Sequence, residues 1–361
     1  MKKVIIVAGD KSGDLYGGLL SKQLREKFSS LEIYSFGGRH LAQHSHQIID
    51  IISHSVSGIY EVLSAVKTLI HIFNSTLNHI NRLKPDLIIL IDFPDFNLRL
   101  AKKINKKYPV FYYVSPQIWA WRKRRIKLIK KYTDKMTVIF KFEKDFYEKN
   151  GVDTLYFGHP LLDIINGIQE VHSKNIITFM PGSRKNELKR HLPILAKTHE
   201  ILQEHIKGYT FRIINPDNIE KDYYKKYIKN IEIVPHSYKA IGESKFIISS
   251  SGTATVEIAI LGIPYIIIYK VNPISWYIIK ILVRTKYAGM INILSSRCVV
   301  EELLQGNANP QRIAALTSEY INNEEKYNKL KNELNKIRNM LMPKGATDKF
   351  SDYIGEYLKL K

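Results

Sequence analysis

Residues 245–264, KFIISSSGTATVEIAILGIP, restrict the fold more than any other stretch of this chain. Phe246-Ile247-Ile248 is a short apolar run without alternation, the pattern of a strand buried on both faces. Ser249 to Gly252 forms a turn, and Thr253 to Leu261 reads as a helix closed by Gly262 and Pro264. A strand that enters a helix through a Ser/Gly turn leaves unpaired backbone N–H groups at a positive dipole end, where phosphate is the usual guest. Glu257, one turn into the helix, is placed to accept from ribose hydroxyls. An ordinary Ser- or Thr-capped helix explains the same residues. The turn also lacks a full P-loop or dinucleotide pattern, so both readings stay open.

The same strand–turn–helix unit repeats along the chain. Lys3 to Ala8 reads as a first strand, Gly9 to Asp14 as a turn, and Gly17-Gly18 as the opening of a helix that runs to about Phe28. Ile33 to Phe36 and Gln47 to Ile52 are further strands, followed by a long helix from about Ile59 to Leu83. Val62, Val66, Leu69, Ile70, Phe73, Leu77 and Ile80 recur on it at helical spacing, a core stripe first and a lipid-facing stripe second. Asp86 to Asp92 holds LIILI between two acids and is the clearest central parallel strand. Its carboxyl end runs into Asp92-Phe93-Pro94-Asp95, where open α/β sheets place their chemistry. Strands at 110–114, 136–140 and 154–157 complete one series.

A second series begins near Ile176, with strands at 177–180, 211–214, 231–234, 246–249 and 265–269, and from Pro310 the pattern is helical. With 361 residues, two domains are the better expectation than one core. The reading is α/β: two doubly wound Rossmann-like domains facing a cleft, residues 1–162 and 163–339, with a helical C-terminal segment at 340–361 that completes the first. A single cysteine, Cys298, excludes an internal disulfide or a Cys-rich metal site and suits a reducing compartment. No leader is expected, because the apolar run after Lys3 stops at Asp10. No run reaches the ~18 apolar residues of a spanning helix.

A family resemblance emerges from the ordered motifs. GDKSGD, SGIYEVL, KPDLIILIDFPDFNLRLAK, YYVSPQIWAWRKRR, FGHPL, MPGSRKNEL, SSSGTATVEIAILGIP and VEELLQ follow one another nearly end to end. In that order the chain resembles the lipid-A-disaccharide synthases, inverting glycosyltransferases of GT-B architecture. Three positions depart from the family pattern: Asp10 replaces a favoured Glu, Ser57 a usual Met, and Ile291 a usual Pro before Asn292.

The resemblance implies that UDP-2,3-diacylglucosamine donates its sugar to 2,3-diacylglucosamine 1-phosphate, with a β-1,6 link formed and UDP released. Inversion needs one carboxylate to take the proton of the attacking hydroxyl and positive charge over the departing diphosphate. Asp95 is the expected base, with Asp86 and Asp92 as acids of the same cluster whose alternative reading is structural. Asp10 and Ser12 are expected to line the acceptor side. On the donor side Arg184 can grip phosphate with its planar fork. Ser251, Gly252 and Thr253 are expected to hold the diphosphate and Glu257 the ribose, with Asn292, Glu302 and Gln305 as further candidates. His159 is read as a hinge-side or a structural histidine. Neither a metal nor a cofactor is expected, since helix-end donors and Arg can carry the charge work.

The net charge of +21, from 55 Lys and Arg against 34 Asp and Glu, suits anionic substrates and an anionic membrane surface; compositional drift toward Lys is the competing account. Val271 to Arg284 mixes aromatics, aliphatics and flanking cations, as an interfacial or a buried helix would. Trp119, Trp121 and the cluster Arg122-Lys123-Arg124-Arg125 could also meet that surface. The expected location is therefore cytoplasmic and peripheral, on the inner face of the inner membrane. The family also implies a possible homodimer. Two other classes stay open: a UDP-sugar epimerase of the same architecture, and a nucleic-acid-binding protein, for which no base-stacking motif or zinc module is present.

Overall fold

Among the described residues, thirteen strands form two separate parallel sheets, each with helices between its strands. The computed structural model describes residues 1–53, 62–165, 173–216, 219–282 and 285–360. Ser57, Gly58 and the Ile59 start expected for the long helix lie outside the described residues, as do Val283 and Arg284. The side chains of Val62, Val66, Ile278, Ile279 and Leu282 fall outside them too.

The chain divides into two compact units, Met1–Asp163 with Leu341–Lys361, and Ile164–Met340. The first contains β1 (Lys3–Ala8), β2 (Glu32–Gly37), β3 (His46–Asp50), β4 (Leu87–Ile91), β5 (Val110–Tyr113), β6 (Lys135–Val138) and β7 (Thr154–Tyr156). Their order is β3-β2-β1-β4-β5-β6-β7, with every neighbouring pair parallel. All five residues of β4 are completely buried, as the LIILI run requires of a strand covered on both faces. Each such Leu or Ile contributes about 1.5–3 kcal/mol of hydrophobic stabilisation.

The helix after β1 spans Lys11–Lys27, so Gly17 and Gly18 lie inside it rather than at its start. Asp10 starts it, and the two glycines let Leu41 and the His40 backbone approach closely. The C-terminal helix Ala346–Leu358 packs on this unit. The Asp163 carboxylate accepts from the backbone N–H groups of Gly345 and Thr347, and Phe350 lies on the Tyr113 ring.

The second unit contains β8 (Ile176–Met180), β9 (Thr210–Asn215), β10 (Glu232–Pro235), β11 (Phe246–Ser250), β12 (Tyr265–Tyr269) and β13 (Glu302–Leu304). Their order is β10-β9-β8-β11-β12-β13, again parallel throughout. The two sheets therefore share one winding. In each, the first strand pairs with both the second and the fourth, and strand order reverses between first and fourth. That reversal opens a crevice at the carboxyl ends, the usual ligand position in such sheets. It falls between β1 and β4 in one unit and between β8 and β11 in the other. β13 is a strand that the sequence pattern does not announce, being only three residues long at a sheet edge.

Candidate active site

In the first unit the crevice is made by Gly9-Asp10 after β1 and Asp92-Phe93 after β4. The two turns touch, because the Phe93 ring occupies the space where a side chain on residue 9 would stand. Asp10 caps its helix, its Oδ1 accepting from the Gly13 N–H at 2.7 Å and from the Ser12 hydroxyl at 3.0 Å. Ser12 thus orients Asp10.

Asp92 and Phe93 both adopt left-handed backbone, with φ of +41° and +46°. Non-glycine residues hold that conformation only when their surroundings impose it. Here Asn97 imposes it, donating to the carbonyls of Ile91 and Asp92 at 3.0 and 2.9 Å, while the Tyr112 hydroxyl donates to the Asp92 carbonyl. The Asp92 residue keeps some exposed surface, yet its carboxyl is crowded by protein. That burial, reinforced by the negative charge of Asp10, holds its pKa well above the usual carboxylate range. An acid so placed is a stronger proton acceptor than an ordinary aspartate.

Asp95 is placed differently from the expectation. It lies in the first turn of the helix Pro94–Ile104, with its side chain 60% exposed. Both of its oxygens accept from Arg122, at 2.9 and 3.2 Å, and Arg125 donates to the same carboxylate. Three residues on from Asp92, it meets an exposed Arg122 and a largely buried Arg125. Asp86 stands at the other end of β4, where it binds the Lys2 ammonium and the Lys3 N–H, both at 2.8 Å. A five-residue strand separates it from Asp92, so it is not part of the constellation. Its pKa is lowered because these partners outweigh its burial.

In the second unit the crevice is formed by Pro181-Gly182-Ser183-Arg184 after β8 and Ser251-Gly252 after β11. Arg184 precedes the helix Lys185–His205, and its side chain is 76% exposed, with Glu187 at 3.2 Å as a surface partner. The Glu187 carboxylate also accepts from the Ser183 and Arg184 N–H groups, which shapes the turn. His191 is buried on the same helix and braces this turn. Its Nδ1 is 2.7 Å from the Pro181 carbonyl, and its Nε2 accepts from the Lys270 N–H at 3.1 Å. Those partners fix one neutral tautomer.

Gly252 has φ of +144° and precedes the helix Thr253–Ile260, with open space above its Cα. The arrangement leaves the backbone at that helix start accessible to an anion. The Ser251 hydroxyl donates to the Ala288 carbonyl at 3.1 Å. Glu257 is buried within reach of two side chains, His236 Nε2 at 3.2 Å and the Tyr238 hydroxyl at 3.5 Å.

Three expected donor-side residues make hydrogen bonds to protein. Asn292 is fully buried; its Oδ1 accepts from the Val299 and Val300 N–H groups, and its Nδ2 donates to the Val300 carbonyl and to Glu302. Glu302 accepts from Asn292 and from the Ala288 and Gly289 N–H groups. Gln305 accepts from the Val271 N–H. Their hydrogen-bonding capacity goes into fixing the 285–289 loop and the edge of β13. Glu302 is linked to Ser251 through Ala288, from whose N–H it accepts and whose carbonyl accepts from the Ser251 hydroxyl. His159 is likewise structural: it is buried, its Nδ1 accepts from the Leu161 N–H at 3.2 Å, and burial depresses its pKa to about 3.

The sequence profile of a family described as lipid-A-disaccharide synthetase matches residues 4–349. It runs through both crevices. The chain belongs to this family. Among similar proteins, lipid-A-disaccharide synthase 1 of Legionella pneumophila (strain Lens) is 36% identical, with 98% of this chain and 96% of that protein covered. Lipid-A-disaccharide synthase of Syntrophus aciditrophicus (strain SB) is also 36% identical, with 96% of each chain covered. Solved structures share the fold at much lower identity. UDP-GlcNAc 2-epimerase from Neisseria meningitidis, bound to UDP-GlcNAc, aligns with a TM-score of 0.67 at 13% identity, over 98% of this chain and 100% of that one. MurG of Acinetobacter baumannii aligns with a TM-score of 0.57 at 15% identity, over 99% and 100%. The epimerase likeness reflects common GT-B architecture and carries no epimerase activity to this lipid-A-disaccharide synthetase family member.

Two buried groups of this synthetase family member escape motif reading. Glu143, in the helix Lys141–Lys149, accepts from the Trp119 Nε1–H and the Phe140 N–H. The signal that could have found it is its place three residues into that helix, as in a capping box. His191 lies two helical turns after Arg184, on the face that packs inward.

Proposed function

We propose that this chain is a lipid-A-disaccharide synthase, transferring 2,3-diacylglucosamine from its UDP donor to 2,3-diacylglucosamine 1-phosphate. The 6-hydroxyl of the acceptor attacks the anomeric carbon of the donor. The anomeric carbon–oxygen bond to diphosphate breaks, UDP leaves, and the hydroxyl proton passes to a carboxylate. Asp92 is that base, with Asp10 beside it raising its proton affinity. In the second unit Arg184 and the helix start at Gly252-Thr253 take the diphosphate, where they offset the charge that develops on the leaving group. Glu257 takes the ribose, with His236 and Tyr238 orienting it.

The observation that carries this reading is that the family match spans both crevices. Each crevice also holds the chemistry its half of the reaction needs. The test is incubation of purified protein with donor and acceptor in detergent, with product read by mass spectrometry. The expected product is the β-1,6-linked disaccharide 1-phosphate with UDP. Its absence would overturn the assignment, and conversion of a UDP-sugar alone would favour an epimerase.

The helix Pro273–Leu282 supports a membrane-surface role. Ile274, Tyr277 and Ile281 lie on one helical face and are 72%, 69% and 64% exposed. Lys280 lies 5.6 Å from the Trp276 ring centroid, a cation beside an amphipathic aromatic. Such a face suits the anionic bilayer boundary where both acylated substrates reside. Among the described residues, no helix is long and apolar enough to cross a membrane.

A further inference from the structure

The segment from Ser115 to Arg122 follows β5 and borders the Asp92 turn, and it is held at several points. The Tyr147 hydroxyl donates to the Pro116 carbonyl at 2.7 Å. The Trp119 indole donates to Glu143 at 2.9 Å, and its ring meets Phe142 edge-on with centroids 5.0 Å apart. At the far end Arg122 stacks on Trp121 and binds Asp95. Glu143 is the buried carboxylate in this set.

Its other oxygen accepts from the Phe140 N–H, so a single side chain ties the segment to the end of β6 and the start of its own helix. A buried carboxylate is costly unless its oxygens are hydrogen-bonded. Here both oxygens serve as anchors.

We propose that Glu143 is a positioning residue of the transfer reaction: it pins Trp119 and the 115–121 segment beside Asp92, and its charge strengthens Asp92 as a base. The inference rests on the assignment of Asp92 made above.

The groups that face Glu143 set the sign of the effect. Asp92, in the turn after β4, feels the charge of Glu143 and also that of Asp10 in the turn after β1. Trp119 donates from the 115–121 segment, Tyr147 shares its helix, and Tyr156 approaches from β7. His159, its ring tilted against Phe140, stays uncharged because burial lowers its pKa to about 3. Burial raises the Glu143 pKa to about 7, against hydrogen bonds from Trp119 and Phe140 that favour its charged form. Near neutral pH the group therefore exchanges charge, and each ionised Glu143 raises the proton affinity of Asp92. The two carboxyls titrate as a linked pair.

Glu143→Gln keeps the shape and an acceptor for Trp119 but removes the charge. Trp119→Phe keeps a ring and removes the donor. Both variants are checked for native circular dichroism. Glu143→Gln should move the acid limb of kcat/KM to lower pH and lower kcat at neutral pH by about 10-fold through displaced geometry and a weaker base. Trp119→Phe should lower kcat while the KM for the UDP-sugar stays unchanged. Carbon-13 NMR titration of labelled aspartate reads Asp92 without any turnover, and in Glu143→Gln its transition should shift to lower pH. An unshifted Asp92 transition overturns the inference, whether or not the protein proves to be a transferase. An inactive wild-type protein, by contrast, fails the functional assignment and leaves the NMR result to decide the role of Glu143. Wild-type turnover in Trp119→Phe overturns the positioning half.

Discussion

Asp92→Asn is the substitution that most directly tests the site. The side chain keeps its size and loses its proton acceptor. Its backbone carbonyl remains held by Asn97 and Tyr112, so the turn should persist. A positioned general base typically supplies ~10²–10⁴-fold, which is about 2.7–5.5 kcal/mol of barrier at 1.36 kcal/mol per decade. Turnover should fall by that factor, and UDP affinity by calorimetry should stay near wild type, because the residues proposed to bind UDP belong to the other unit.

Stability should move the opposite way. Burial first, and Asp10 second, raise the Asp92 pKa in the folded protein. For an acid with a raised folded pKa, the unfolded chain releases the proton first, so folded stability falls as pH rises from about 3.8 through the folded pKa. The neutral amide escapes that penalty, and Asp92→Asn should be as stable as wild type or more so at neutral pH. A purely structural Asp92 would give lost stability with retained turnover. Asp95→Asn is the comparison: it removes an exposed ion pair with Arg122 and Arg125, worth about 0–1 kcal/mol, and should leave most activity. The reasoning is refuted if Asp92→Asn turns over normally or if Asp95→Asn is the dead variant.

Three further outcomes are expected. Arg184→Ala removes a charge-assisted phosphate contact worth about 1.5–3 kcal/mol, so UDP should bind at least tenfold more weakly by calorimetry while thermal stability changes little; unchanged UDP affinity would remove Arg184 from the site. Replacing Ile274, Tyr277 and Ile281 together with Ser should cut binding to anionic vesicles in co-sedimentation and leave the circular dichroism spectrum intact, because all three side chains are exposed; undiminished vesicle binding would exclude this helix as the contact. Burial of His159 lowers its pKa from 6.5 to about 3, so stability is full above 6.5 and declines as pH falls toward 3. The loss should reach about 2 kcal/mol at pH 5. Urea titrations of His159→Gln should show a flatter acid arm, and an unchanged arm would place the acid sensitivity elsewhere.

How much could be read from the chain alone follows from the range of each interaction. Strand and helix positions are local properties. LIILI can satisfy burial on two faces only as a central strand, and a Ser/Gly turn between strand and helix marks a βα junction wherever it occurs. The ordered motifs carried the family, and the switch-point turns at Asp10, Asp92, Gly182 and Gly252 were visible as words. The roles within those words were not. DFPDFN contains two aspartates three residues apart, and only the left-handed turn imposed by Asn97 decides that Asp92 meets Asp10 while Asp95 meets two arginines. Asn292, Glu302 and Gln305 look like ligand-binding polar residues in a linear reading. Their protein partners lie on a neighbouring loop and at a sheet edge, so these bonds appear only when β13 joins β12. Glu143 and Trp119 stand 24 positions apart, and their hydrogen bond exists because β5 and β6 are adjacent in the sheet. Backbone propensity and burial pattern act over a few residues and are written in the sequence. The direction of a carboxylate, and the charges it feels, depend on which distant segments the sheet brings beside it, and that only the tertiary structure decides.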